Sequence, residues 1–255
     1  MNSIKTVLLL GLLSGGLLAV GQALGGQNGL VISLALAVLM NFFSYFFSEK
    51  MAIMGSGAQR VSETEHSQVW ARIAPMTKRL TERMGIPMPK LWVIPEHAPN
   101  AFATGRNPKN SSVAVTVGLL ELMNDREVEA VIAHELGHIL NRDILISSIA
   151  ATVGTAITFL ARSVMFFGPR RDDEDEGGGL LGGLVMMILA PFAAMLIQMA
   201  ISRTREYGAD AAAAKYMGSP EPMISALRRL ESYSQRIPMD VSPSSAHMYI
   251  IQPLT

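Results

Sequence analysis

The amino-acid sequence predicts a mainly α-helical membrane protein in which four hydrophobic helices carry a mixed α+β head with a small sheet. Three observations predict it. Mean hydropathy is +0.30, with 49% apolar and only 16% charged residues, which leans away from an ordinary soluble domain. The apolar residues are gathered into long uncharged stretches. The charged segments between those stretches carry the helix caps, strand patterns and turn signals of a folded domain.

The elements follow in order. Thr6–Leu24 and Leu30–Ser48 are uncharged runs of 19 residues each, close to the roughly 20 needed to cross a bilayer. The short Gly25-Gly26-Gln27-Asn28-Gly29 link between them predicts a helical hairpin over residues 1–48. A cleaved signal peptide fits less well, because a second span follows at once. Gly11, Gly15, Gly21 and Gly25 offer surfaces for close helix packing. Positive charge sets the orientation. Lys5 precedes the hairpin, Lys50, Arg60, Arg72, Lys78 and Arg79 follow it, and the link has none, so both flanks are expected on the cytoplasmic side.

Residues 49–143 are expected to form the first part of the head. An amphipathic helix is predicted over Val61–Met84, closed by Gly85. Strands are predicted over Lys90–Ile94 and Ser112–Val117, with a turn at Asn107-Pro108-Lys109-Asn110. Asn124 as N-cap and Glu127 three residues on form a capping box for a further helix, expected to run through Asn141-Arg142-Asp143. Residues 144–201 are expected to be a central hydrophobic pair, Ile144–Ala161 and Leu180–Ile201, with a solvated acidic, Gly-rich loop between them. Residues 202–255 complete the head, with one helix through Glu206 to Tyr216 and another opened by Ser219-Pro220-Glu221.

The chemistry is concentrated in His134-Glu135-Leu136-Gly137-His138. Two histidines four apart on a helix lie one above the other, so both imidazoles can reach one zinc ion. Glu135, rotated by roughly 100° from His134, sits beside the metal, placed to take a proton from a water that the metal acidifies. A solvated pair of surface histidines is the plain alternative. Val128, Val131, Ile132, Leu136, Ile139 and Leu140 argue against it, because they make this a buried or half-buried helix. The chain has no cysteine, so a third ligand must be His, Asp or Glu. His66, His97 and His247 are isolated in polar settings. Glu206 and Asp210, four apart on an apparent helix, are better candidates: one carboxylate as ligand, the other as acceptor for the free N–H of a ligating imidazole. Spacing alone leaves open a solvated helix held by surface ion pairs.

The motif at His134–His138, the Ser202-Arg203 to Asp210 segment and Pro99-Asn100-Ala101-Phe102-Ala103-Thr104-Gly105, in that family's order, resemble the HtpX family of bacterial membrane zinc metalloproteases, relatives of the CAAX prenyl endoproteases. The resemblance implies a zincin-like α+β metalloprotease head. It implies one Zn²⁺ per chain held by His134, His138 and Glu206, with Glu135 as catalytic base and Asp210 supporting a ligating histidine. It also implies an edge strand, with Asn100, Ala101, Phe102 and Ala103, that holds the substrate backbone. The implied substrates are misfolded or damaged membrane proteins, cleaved at the cytoplasmic face of a bacterial inner membrane. The lipid bilayer is a partner, and no nucleic-acid partner is expected. Members usually continue past the equivalent of Leu254 into a Ser/Thr-His-Pro-Pro-like segment, so the C-terminus is expected to be truncated. Two other readings compete: an intramembrane metalloprotease and a non-enzymatic metal-binding membrane protein. Asp125, Arg126, Glu127 and Glu129, just before the motif, weigh against burial in lipid.

Overall fold

The structure, a computed structural model, describes residues 2–145, 148–149 and 203–234. Most of the expected central pair, its acidic loop, and the last residues with His247 lie outside the described residues.

Helix α1 spans Asn2–Gly55 and is broken once, at Gly26, whose φ of 54° and ψ of −136° are non-helical. No separate link forms: the chain reverses at this single residue, where glycine tolerates the positive φ. The two halves pack as an antiparallel hairpin. Asn41 Nδ2 donates to Ser14 Oγ at 2.8 Å, and a Cβ placed on Gly29 would collide with the Gly21 backbone. Gly21 thus serves the close packing expected of it, with Gly29 as its partner. Gly11, Gly15 and Gly25 meet nothing within 4 Å. Among the described residues one helix, Gly25–Gly55, is long and apolar enough to cross a membrane by length and composition. It continues past Ser48 into the head rather than ending at the predicted boundary.

The head holds a four-stranded sheet of order β1-β2-β4-β3. Strand β1 (Gln59–Arg60) lies antiparallel to β2 (Lys90–Ile94), which runs parallel to β4 (Asn110–Thr116). Strand β3 (Ala101–Asn107) forms the far edge, antiparallel to β4 through the Asn107–Asn110 turn. Side chains alternate between faces with the strand period of two. On one face Ala101, Leu91, Val93, Val113 and Val115 join the main core. On the other, Phe102, Ala114 and Ile94 pack around Ile53 from the end of α1.

Helix α2 begins at Ser67, later than the predicted Val61, and runs to Met84. Gln59–Arg60 is spent on the sheet, and His66 turns left-handed (φ 54°) before the helix starts. A short helix α3 (Val117–Leu122), not predicted, links β4 to α4 (Asp125–Leu140). The capping box forms as read: Asn124 accepts from the Arg126 and Glu127 amides, and Glu127 accepts from the Asn124 amide. Helix α4 is buried along nearly its whole length. It stops at Leu140 instead of continuing, because Arg142 takes a positive φ of 59°. Helices α5 (Arg203–Met217) and α6 (Glu221–Ser234) pack against it, and Ser219 Oγ accepts from the Glu221 amide as the predicted cap.

Candidate metal centre

Helix α4 supplies the two histidines, and α5 crosses it at their level. The approach is close because Gly137 faces Ala209: a Cβ on Gly137 would lie 3.0 Å from the Ala209 Cα. That contact brings Glu206 and Asp210, on α5, over the motif. His134 Nε2 and His138 Nε2 face the same Glu206 oxygen, at 3.5 and 3.6 Å. Candidate ligand atoms of the three residues all lie within 4.8 Å of one another, a spacing that could hold one metal ion. The rings stand nearly perpendicular, at 87° with centroids 4.9 Å apart.

Each imidazole is held from behind by a carboxylate. His134 Nδ1 meets Asp210 Oδ1 at 2.9 Å, and His138 Nδ1 meets Asp143 Oδ2 at 3.5 Å. The first is a hydrogen bond, which puts the proton on His134 Nδ1 and leaves Nε2 free for a metal while making the ring more basic; the second is a longer ion-pair contact. Sequence reasoning singled out Asp210 but missed Asp143. Its signal is an aspartate just past the motif, but its role depends on the left-handed Arg142 that turns the chain back, with the Asp143 amide bonded to the His138 carbonyl at 2.9 Å. Arg205 was also missed as a site neighbour. It is buried beside Asp143 and Glu206; burial lowers its pKa, and the two carboxylates counter that.

The electrostatics fit a cation site. Burial lowers the His134 pKa, but hydrogen bonding to Asp210 and then Glu206 outweighs it and raises it to about 9. Burial likewise opposes charge on His138, and Asp143 and Glu206 raise it to about 10. Burial pushes the Glu206 carboxyl up, yet the two imidazoles hold it well below the ordinary carboxylate range. The three donors and their acidic surroundings thus favour positive charge between them, which a divalent cation would supply. Glu135 behaves differently. It is buried, and desolvation raises its pKa despite both neighbouring histidines; the Ala103 backbone hydrogen-bonds to it. Ala103 belongs to the edge strand, so Glu135, the candidate ligands and the sheet edge meet in one place. Asn100, Ala101 and Phe102 line up beside it; Tyr207 and Arg203 are exposed, His97 pairs loosely with Glu121 at the surface, and His66 forms the α2 cap position.

Two imidazoles and a carboxylate converging beside a buried glutamate and a sheet edge fit a metal-dependent peptidase. Comparison with known proteins makes the assignment specific. Residues 67–248 match Peptidase family M48. The chain is 48% identical over its full length to "Protease HtpX homolog" of Desulfatibacillum aliphaticivorans, covering 82% of that protein. It is also 48% identical to the protein of the same name from Thermodesulfovibrio yellowstonii, covering 90% of it. Among solved structures, S. mikatae Ste24p matches 98% of this chain and 62% of its own, with a TM-score of 0.51 at 22% identity, a likeness of fold. The chain belongs to peptidase family M48, and it is a metalloendopeptidase.

Proposed function

We propose that the protein is a zinc endopeptidase anchored in a bacterial inner membrane, with its head on the cytoplasmic side and misfolded or damaged membrane proteins as substrates. His134, His138 and Glu206 would hold the zinc. The observation that carries this is the convergence of both Nε2 atoms on one Glu206 oxygen while both Nδ1 atoms rest on carboxylates. Bound there, zinc supplies Lewis acidity toward the scissile carbonyl and lowers the pKa of water to about 7. Glu135, whose carboxylate burial makes more basic, takes the proton of the attacking water and delivers it to the departing amine. Asp210 orients His134. Asn100–Ala103 pairs with the extended substrate backbone and presents one peptide bond to Glu135.

The membrane reading rests on the apolar Gly25–Gly55 helix and on the uncharged runs at residues 6–24, 144–161 and 180–201, four spanning segments in all. In this reading 1–48 is the anchor hairpin, 49–143 and 202–255 are the two parts of the head, and 144–201 is the second hydrophobic pair. The test is metal analysis of the purified full chain beside a peptide-cleavage assay. Zinc near one per chain, with cleavage lost to chelator and restored by zinc, is expected. A metal-free chain with full cleavage would overturn the reading.

A further inference from the structure

The outward-facing groups of the edge strand follow from its register. The Asn100 carbonyl accepts from the Thr116 amide at 2.9 Å, so Asn100 faces β4. In an antiparallel pair the inward and outward groups alternate, so Phe102 and Thr104 face inward as well, and Ala101, Ala103 and Gly105 face outward. The outward Gly105 amide is already taken by Ser148 Oγ at 3.2 Å, and the same hydroxyl meets Thr104 Oγ1 at 2.7 Å. The outward Ala103 amide is held by Glu135, so the outward pairing platform is confined to Ala101 and the Ala103 carbonyl.

The direction of this strand relative to the membrane helix is fixed by two contacts. Phe102 packs with Ile53, and the Arg106 guanidinium lies 5.2 Å from the Phe46 ring centroid. From Ile53 back to Phe46 is about 10 Å along a helix, and from Phe102 to Arg106 is about 13 Å along a strand. The two lengths are close, so β3 runs beside α1 in the opposite direction, descending toward the apolar run. Glu49, the first charged residue after that run, locks the arrangement. Its Oε1 accepts from Lys90 Nζ at 2.9 Å and from Ser112 Oγ at 2.8 Å, and Trp92 Nε1 donates to the same serine at 2.9 Å. Ile53 stands about 8 Å beyond Ser48 by helical rise, which places Phe102 about that far from the end of the apolar run.

From this we infer that the edge strand stands along the membrane normal and receives a polypeptide segment as it leaves the bilayer, with the substrate's membrane anchor on the N-terminal side of the cut bond. The inference rests on the endopeptidase reading above. Antiparallel pairing is the slightly more stable arrangement. It sets the substrate's N-terminal flank at the Gly105 end, which is the end nearest the membrane. The Glu49 clamp fixes the height of the platform. A gap of about 8–10 Å takes about three residues of extended chain, so the favoured bond lies a few residues from the anchor.

The test uses the full chain in vesicles of phosphatidylethanolamine and phosphatidylglycerol. One cleavable peptide is joined to a leucine-rich membrane helix, upstream or downstream, through Gly/Ser spacers of varied length, and the same peptide is also offered free. With the helix upstream, a spacer of about three to six residues should be cut roughly tenfold faster than one of about twenty, since effective concentration peaks when linker and span match. Rates indifferent to spacer and to anchor side, with the free peptide still cut, would overturn the inference while sparing the endopeptidase reading. Preference for the downstream anchor would overturn the antiparallel direction. Failure to cut any of the peptides would sink both. Glu49→Ala should leave free-peptide cleavage within about twofold while flattening the spacer optimum, since the linkage that fixes the span is gone. A sharp optimum retained in Glu49→Ala would overturn the clamp's part.

Discussion

Two of the buried glutamates on helix α4 behave in opposite ways. Glu127, at its N-terminal end, is 1% exposed and Glu135, near the other end, is 5% exposed. Burial raises both pKa values. For Glu127 the bonds from Ser225 Oγ at 2.6 Å, the Asn124 amide at 2.9 Å and Arg229 Nε at 2.7 Å outweigh it, and the carboxyl sits below its ordinary value. Among the described residues no guanidinium contributes at Glu135, so desolvation prevails and its pKa rises. The same side chain on the same helix is an anion that ties α4 to α6 at one end and, in the proposed mechanism, a proton acceptor at the other. Partners decide the role, since burial alone does not distinguish them.

Substitutions at the two ends should separate those roles. Glu135→Gln should lower kcat by about 10³–10⁴ while thermal unfolding and metal content stay near the parent's, because only proton transfer is removed. Retained turnover in a zinc-dependent peptide assay would break the comparison. Gly137→Val should come next. Its side chain would collide with Ala209 and push α5 away, so we expect metal content well below one per chain and cleavage lost with it. Asp210→Asn should weaken metal affinity by about 10–100-fold, measured by competition with a chelator, and Asp143→Asn should cost less, in line with its longer contact of 3.5 Å against 2.9 Å. Equal losses would show that contact length does not rank the two supports.

Glu127→Gln should leave kcat within a small factor and destabilise the fold by about 1–3 kcal/mol at neutral pH. The sign of its pH dependence follows from the shift. A carboxyl held below its ordinary value of 4.5 contributes stability that is fully present above that pH. The contribution is lost as pH falls through the lowered folded value. Urea midpoints of parent and variant should therefore differ at pH 7 and converge on acidification; a constant gap would deny Glu127 its anionic role.

Much of this was legible in the sequence where chemistry is local. The capping box at Asn124 and Glu127, the two histidines a helical turn apart, and the serine at 219 all act within four residues, and each forms as read. The strands expected at residues 90–94 and 112–117 show in their alternation and turn, though the second starts two residues earlier, at Asn110, and ends at Thr116. What escaped depends on distant partners. Gln59–Arg60 has no strand pattern of its own and is ordered by pairing with Trp92 and Val93. Asp143 lies beyond the helical reach of His138 and returns only because Arg142 reverses the chain. Gly137 reads as a weak point inside a helix, yet its missing side chain is what lets α5 approach.

The single-residue reversal at Gly26 has a consequence for biogenesis. Two apolar halves joined with no intervening loop, and touching at Gly21 and Gly29, leave nothing to translocate as a separate domain. In the proposed membrane reading they would partition into lipid together, as one wedge whose tip is glycine. A bulky side chain at Gly29 would therefore act first on insertion of the newborn chain, before any effect on the finished enzyme.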